Sequence, residues 1–175
     1  MSLPHAPHGG SHGGGPFAFA LLTVSDTRTS EDDVSGRVMR QLVTEAGHRV
    51  AASAIVRDEI PAVREQILTW ALDPACEVVL STGGTGLSAR DRTIEAACGL
   101  FDARIDGFGE LFRLVSFEQI GSRAMLSRAA AGIVRGTPVF LLPGSPNAVT
   151  LALTRLVLPE IAHVIGELRR HGPLG

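Results

Sequence analysis

A chain of 175 residues, 45% of them hydrophobic, has the length of one domain and enough apolar mass to bury a sizeable core. Its net charge of -2 offers no footprint for nucleic acid, and no uninterrupted apolar run reaches the roughly 18 residues of a membrane span. There is no lysine and no tyrosine, which excludes a P-loop and lysine-based covalent chemistry; any phosphate chemistry must rely on backbone amides, arginine and a metal ion.

Residues 1–15, "MSLPHAPHGGSHGGG", are rich in glycine, histidine and proline and lack the basic and apolar regions of a secretory signal. They read as a flexible tail ahead of a domain over 16–175, and the default expectation is a soluble, cytoplasmic protein. His5, His8 and His12 invite a metal reading, but a flexible segment brings no groups to orient them, so it is the weaker one. Cys76 and Cys98 have no CxxC or histidine partner and read as reduced, buried or half-buried thiols.

From Phe17 the pattern becomes regular. "FAFALLTV" predicts a strand buried on both faces. "SEDDVSGRVMRQLVTEAG" predicts a helix opening on Ser30 in a capping-box-like start and stopping at Gly47, with acidic residues in its first turn. "RVAASAIV" is the second strand, and a helix runs from about Ile60 to Leu72 with Pro61 in its first turn. "CEVVLS" is the third strand and feeds directly into "TGGTGLSARD". A helix follows from about Thr93, "GFGELFRLVSFEQIG" predicts an interrupted helix, and "AMLSRAAAG" a further helical turn. "TPVFLLPG" is the last strand; the closing helix begins with Ser145 as N-cap and Pro146 at its first position, and Pro159 should kink or divide it. Strands alternating with helices predict one α/β domain, a three-layer α/β/α sandwich around a mostly parallel sheet.

In such a fold ligands bind beyond the carboxyl ends of the strands. The loops there are "SDT" (25–27), "RDE" (57–59), "TGGTGLSARD" (82–91) and "PGSPN" (143–147), and they should converge. The glycine loop admits three readings: a tight turn needing positive φ, a dinucleotide fingerprint through Gly84, Gly86 and Ala89, or an anion cradle of bare amides flanked by Thr82 and Thr85. The fingerprint suffers because the loop follows the third strand and its helix starts late. Asp91 is either the cap of the next helix or, paired with Asp58 at the neighbouring strand end, a holder of Mg²⁺ beside phosphates. Arg90 and Arg128 are candidate phosphate contacts, or else surface or ion-pair arginines. Ser25 and Asp26 are turn formers by default.

Four ordered motifs, "TGGTGLSARDRTIEA", "GFGELFR", "AMLSRAAAG" and "LPGSPNAV", together resemble the MoaB/MogA family of molybdenum cofactor biosynthesis proteins and the related G domain of gephyrin-type proteins, over about residues 17 to 170. The stretches "FEQIGSRAMLSRAAAGIVRG" and "LPEIAHVIGELRRH" look like the MoaB branch. The resemblance implies a molybdopterin-binding α/β fold assembled as a trimer or a hexamer. In active members the terminal phosphate of molybdopterin attacks the α-phosphorus of Mg²⁺-ATP, giving adenylyl-molybdopterin and pyrophosphate. By motif, Asp58 and Asp91 match the residues expected at the metal–phosphate centre. Gly83, Gly84, Thr85 and Gly86 match the nucleotide-phosphate loop, with Ser25, Asp26 and Arg90 beside it. Ser127, Pro143, Gly144, Ser145 and Asn147 match the molybdopterin side. The alternative within the family is a carrier that binds molybdopterin without transferring adenylate. The His-rich N-terminus lies outside the family pattern. A nicotinamide-dependent oxidoreductase is the rival from another class; the acidic residue it needs, Asp106, precedes a helix instead of ending an obvious strand.

Overall fold

The computed structural model describes residues 15–171; apart from Gly15, the expected tail, with His5, His8 and His12, lies outside the described residues. The elements are β1 (Ala18–Val24), α1 (Val34–Glu45), β2 (Arg49–Val56), α2 (Ile60–Ala71), β3 (Val78–Thr82), α3 (Thr93–Cys98), β4 (Ala103–Arg104), α4 (Asp106–Ile120), β5 (Ala130–Val134), β6 (Thr137–Leu142), α5 (Pro146–Ala152) and α6 (Leu158–His171). A 3-10 turn, Gly121–Leu126, separates α4 from β5, and a π turn, Leu153–Val157, joins α5 to α6.

Alternation along the strands sorts the core into two layers. Phe19 and Leu21 of β1, Val78 and Leu80 of β3, and Phe140 and Leu142 of β6 pack with Met39, Val43, Phe108, Phe112 and the apolar face of α5 and α6. Ala20, Leu22 and Val24, Val79, and Val139 and Leu141 point the other way, onto Val63, Ile67 and Trp70 of α2 and Ala96 and Ala97 of α3. The sheet order is β2-β1-β3-β6-β5-β4. Strands β1, β2, β3 and β6 are parallel, and β5 runs antiparallel to both β6 and β4. The chain leaves β1 toward β2 on one side and returns to β3 on the other, which opens a crevice at the carboxyl ends of β1 and β3. The sandwich around a mostly parallel sheet is therefore the observed architecture.

Several local expectations are corrected. The N-cap of α1 is Asp33, not Ser30: its side chain accepts from Gly36 N–H at 2.9 Å and from the Thr23 hydroxyl at 2.6 Å, and no acidic residue occupies the first helical turn. Helix α4 runs uninterrupted through Gly107 and Gly109; a side chain at Gly109 would come within 2.7 Å of the Ala129 carbonyl, so the glycine permits close helix–strand approach. "AMLSRAAAG" is no simple helical extension. Its first three residues end the 3-10 turn Gly121–Leu126, but Ala130 and Ala131 enter β5, every residue of which is buried, because a slot between β4 and β6 outweighs the helix preference of alanine. The β5–β6 hairpin turns on Arg135 and Gly136, with φ of 51° and 81°, the two positive values a two-residue turn of this hand demands. The expected break at Pro159 takes the form of the π turn just before it, which accommodates the missing N–H and the ring. Both cysteines are free, Cys76 buried and Cys98 half-buried.

The helical stretch Pro146–Arg170 is long and apolar enough, by length and composition, to cross a membrane. Its Val149, Leu151, Leu153, Val157, Ile161 and Ile165 are instead buried against the sheet.

Phe112 is 2% exposed and joins the core to the crevice above it. Phe112→Ala should cost about 3–5 kcal/mol in urea unfolding. A loss below about 1 kcal/mol would show that α4 is not held by this ring.

Candidate functional site

The end of β3 abuts the end of β1. Gly83 has φ +96°, and a Cβ there would fall 2.2 Å from the Val24 carbonyl oxygen. Gly84 has φ +62°, and its missing Cβ would meet Thr93 Oγ1 at 2.2 Å and Asp58 Oδ2 at 2.5 Å. At Gly86 the Cβ would lie 2.7 Å from Asp91 Oδ2. Each glycine thus answers first to the protein's own backbone and carboxylates. The loop is tied on both sides: Gly83 N–H donates to Leu142 O at 3.2 Å, Thr93 Oγ1 donates to Gly83 O at 2.9 Å, and Thr93 N–H donates to Gly84 O at 3.0 Å.

Asp91 does not cap α3. The N-cap is Arg92, without a side-chain bond, and it is Asp58 that reaches across to accept Arg92 N–H at 2.8 Å. Asp91 instead accepts Ser88 N–H at 2.8 Å, which turns the loop back so that its carboxylate faces Gly86. Asp26 links the first two strand ends, accepting Asp58 N–H at 3.2 Å and pairing with Arg90 at 2.7 Å. Ser25 Oγ accepts from Thr27 and Arg28 N–H at 3.3 and 3.2 Å, a local turn. From the last strand, Pro143 O accepts the Thr82 hydroxyl at 2.9 Å and Gly144 O accepts the Ser35 hydroxyl at 2.8 Å. Ser145 caps α5 through Ala148 N–H at 3.2 Å. The four loops converge.

Two of them, the glycine loop and the 143–147 turn, border a cavity of about 520 Å³, the size of a small-ligand site. Of the residues named from sequence, Gly84, Thr85, Gly86, Asp91, Ser127, Pro143, Gly144, Ser145 and Asn147 line it. Gly83, Ser25, Asp26, Asp58 and Arg90 do not; they stand behind or beside the glycine loop. The opposite wall was not anticipated: Phe112, Ser116, Gln119, Ile120 and Arg123 from α4 and its 3-10 continuation, with Leu126. Their spacing of three to four residues, which sets them on one side of the helix, was the available signal. The result is an apolar floor under a rim of hydroxyls, side-chain amides, the Asp91 carboxylate and one arginine.

Negative charge concentrates on the strand-end side. Burial is the largest cause raising the Asp58 carboxyl above the ordinary 3.8, and the charges of Asp91, Asp26 and Glu95 add to it against the Arg92 hydrogen bond. No group of three or more acidic, histidine or cysteine side chains among the described residues is arranged to hold a metal by itself.

Because folded Asp58 holds its proton more tightly than the unfolded chain does, the native state binds more protons and its relative stability falls as pH rises from about 3.8 through the raised value. Asp58→Asn removes that charge and keeps an oxygen for Arg92. It should raise the melting temperature at pH 7 by up to about 2–4 °C, with the gain vanishing toward acid. A variant that melts lower at pH 7 than the parent protein would refute the electrostatic reading.

Residues 20–163 match the family model described as a probable molybdopterin binding domain. The chain is 49% identical over 151 residues to molybdenum cofactor biosynthesis protein B of Bacillus subtilis, covering 86% of this chain and 89% of that protein. A crystal structure of a molybdenum cofactor biosynthesis protein B superposes with a TM-score of 0.87 at 45% identity, covering 89% of this chain and 98% of the other. The tungsten cofactor synthesizing protein MoaB from Pyrococcus furiosus superposes with a TM-score of 0.76 at 36% identity, over 88% and 98% of the two chains.

Proposed function

Because this chain belongs to the MoaB/MogA family of molybdopterin-binding proteins, on its MoaB branch and in molybdenum cofactor biosynthesis, we propose that it is a molybdopterin adenylyltransferase acting in the cytoplasm. The observation that carries this reading is the composition of one cavity. The glycine loop and Asp91 form one wall, and Ser127 with the Pro143–Asn147 turn forms another, so a nucleotide phosphate and a pterin phosphate can meet between them.

In the proposed reaction an oxygen of the molybdopterin phosphate forms a bond to the α-phosphorus of ATP. The bond from that phosphorus to the β-phosphate oxygen breaks, and pyrophosphate leaves with the electron pair. Phosphoryl chemistry of this kind asks the protein for alignment and charge neutralisation more than for covalent help. Gly84 and Gly86 have no side chains and present only backbone to the cavity, which suits close approach of a phosphate. Ser127, Ser145 and Asn147 offer polar atoms to the pterin and its phosphate, and Arg123 brings positive charge to the same cavity.

Asp58 and Asp91 would hold Mg²⁺, which supplies neutralisation of the triphosphate charge when bound. What supports this reading is that Asp91 faces the cavity and that Asp58, behind the glycine loop, is a half-buried carboxyl raised by its own burial and by neighbouring negative charge, which a cation would relieve. Two carboxylates leave the remaining positions to phosphate oxygens and water, the usual arrangement for this ion.

Incubation with Mg²⁺-ATP and molybdopterin should release pyrophosphate and yield the adenylylated pterin. Asp58→Asn and Asp91→Asn should each lower turnover by at least about 10²-fold while molybdopterin still binds. Molybdopterin binding without pyrophosphate from the parent protein would establish the carrier instead.

Assembly as a trimer or hexamer belongs to the same reading. Leu111, Leu114, Phe117 and Ile120 are all at least half exposed and recur at every third residue of α4, with Met125 and Leu126 beyond them. An apolar stripe of that extent calls for cover, and a second copy of the chain supplies it. Leu114→Glu combined with Phe117→Glu should shift sedimentation to the monomer; an unchanged oligomer would move the contact elsewhere.

A further inference from the structure

Arg128 follows Ser127, a residue of the cavity, but does not line the cavity itself. Its guanidinium donates in three directions: to Thr85 O at 3.2 Å, to Asp91 O at 3.3 Å and to the Glu95 carboxylate at 2.5 Å. Thr85 and Asp91 bracket the exposed run 86–90, so the first two bonds pin both ends of the loop that carries Asp91. The third fixes the guanidinium to the first turn of α3, and that hydrogen bond is the main cause holding the Glu95 carboxyl below its ordinary value. The backbone at the base of the side chain is also held. Ser127 N–H donates to Ala124 O at 3.1 Å, Ala129 N–H to Ser127 Oγ at 3.3 Å, and Ala129 O packs against Gly109 of α4.

A phosphate contact is one role sequence allows for this arginine. In the folded chain its donors are instead directed at protein acceptors, two of them main-chain carbonyls. Each of the three guanidinium nitrogens serves a different acceptor, a spread set by the planar fork; an ammonium carries its three donors on one atom at the end of a flexible stem and does not reproduce that spread. Arg90 is different in kind, with an 80% exposed side chain and a single partner, Asp26.

We propose that Arg128 is a positioning residue that sets the Asp91 loop against the Ser127 wall, so that the nucleotide and pterin halves of the cavity are built as one unit. The identity of the two ligands rests on the adenylyl-transfer reading; the clamp itself does not. One consequence is thermodynamic. A ligand that orders the Ser127 wall also orders the loop through the guanidinium, and the coupling is reciprocal.

Three variants test this: Arg128→Met, Arg128→Lys and Glu95→Gln. Amide hydrogen exchange in the ligand-free protein should speed up about tenfold across residues 85–91 in Arg128→Met, with β6 unchanged. In turnover, Arg128→Met and Arg128→Lys should lose about 10²-fold in kcat while molybdopterin Kd moves less than about threefold. Glu95→Gln keeps the two carbonyl bonds and should retain most of the rate. Exchange in 85–91 that matches the parent protein in a folded Arg128 variant would overturn the proposal. So would a uniform rise in exchange over the whole chain, the signature of a merely structural arginine. Should Arg128→Met fail to fold, Arg128→Lys and Glu95→Gln give the same contrast. If the parent protein releases no pyrophosphate, the adenylyl-transfer reading fails, and the loop exchange still decides the role of Arg128.

Discussion

The carbonyl of Val24 and the α-carbon of Gly83 occupy space that no side chain could share: a Cβ on Gly83 would fall 2.2 Å from that oxygen. This contact joins the carboxyl ends of β1 and β3 at the point where the connections of the sheet diverge. Gly83 is also bonded to Leu142 through its N–H and to Thr93 through its carbonyl, so the ends of β1, β3 and β6 and the start of α3 meet at one residue. Everything above that point is placed by it. Gly84 must clear Asp58 and Thr93, the loop must turn back through Ser88, and the Pro143–Asn147 turn comes to lie against the same glycines.

The electrostatics follow from that crowding. Three strand ends and the first turn of α3 bring Asp26, Asp58, Asp91 and Glu95 into one neighbourhood, and burial leaves Asp58 reluctant to ionise. The arginines nearby do not cancel this charge freely. Arg90 is engaged by Asp26, and Arg128 by Glu95 and two carbonyls. In a chain without lysine, the positive charge lining the cavity comes from Arg123, on the wall opposite the carboxylates. The strand-end side thus keeps a partly buried carboxyl, Asp58, beside other acidic groups, while one arginine lines the opposite wall, an arrangement costly to hold folded.

Some of this was legible in the sequence because it is local. Apolar runs of strand length, glycine and proline at helix ends, and the alternation of the two element types give the layers and the strand ends that bear loops. The N-cap of α5 was readable for the same reason: Ser145 bonds an amide three residues away. Where a local preference met a stronger tertiary demand, reading failed. The alanines of β5 favour helix but fill a buried slot, and Asp33 took the cap of α1 because Thr23, on another element, adds a second bond. Arg128 carries no mark that separates a phosphate ligand from a clamp on Thr85 and Asp91, both roughly forty residues away in the chain.

By itself the sequence determined the class of fold, the four loops that meet, most of the polar residues around the cavity and the family to which they belong. It did so because motif order and strand–helix alternation are properties of neighbours in the chain. Only the tertiary structure decided the roles within that set. It made Asp58, from another strand end, the acceptor for the Arg92 amide at the start of α3, and it gave Gly83 and Gly84 their necessity through Val24, Thr93 and Asp58. It also added the α4 wall. Those assignments depend on contacts between residues far apart in the chain, where the deciding quantity is whether an atom has room, and distance along the chain carries no information about that.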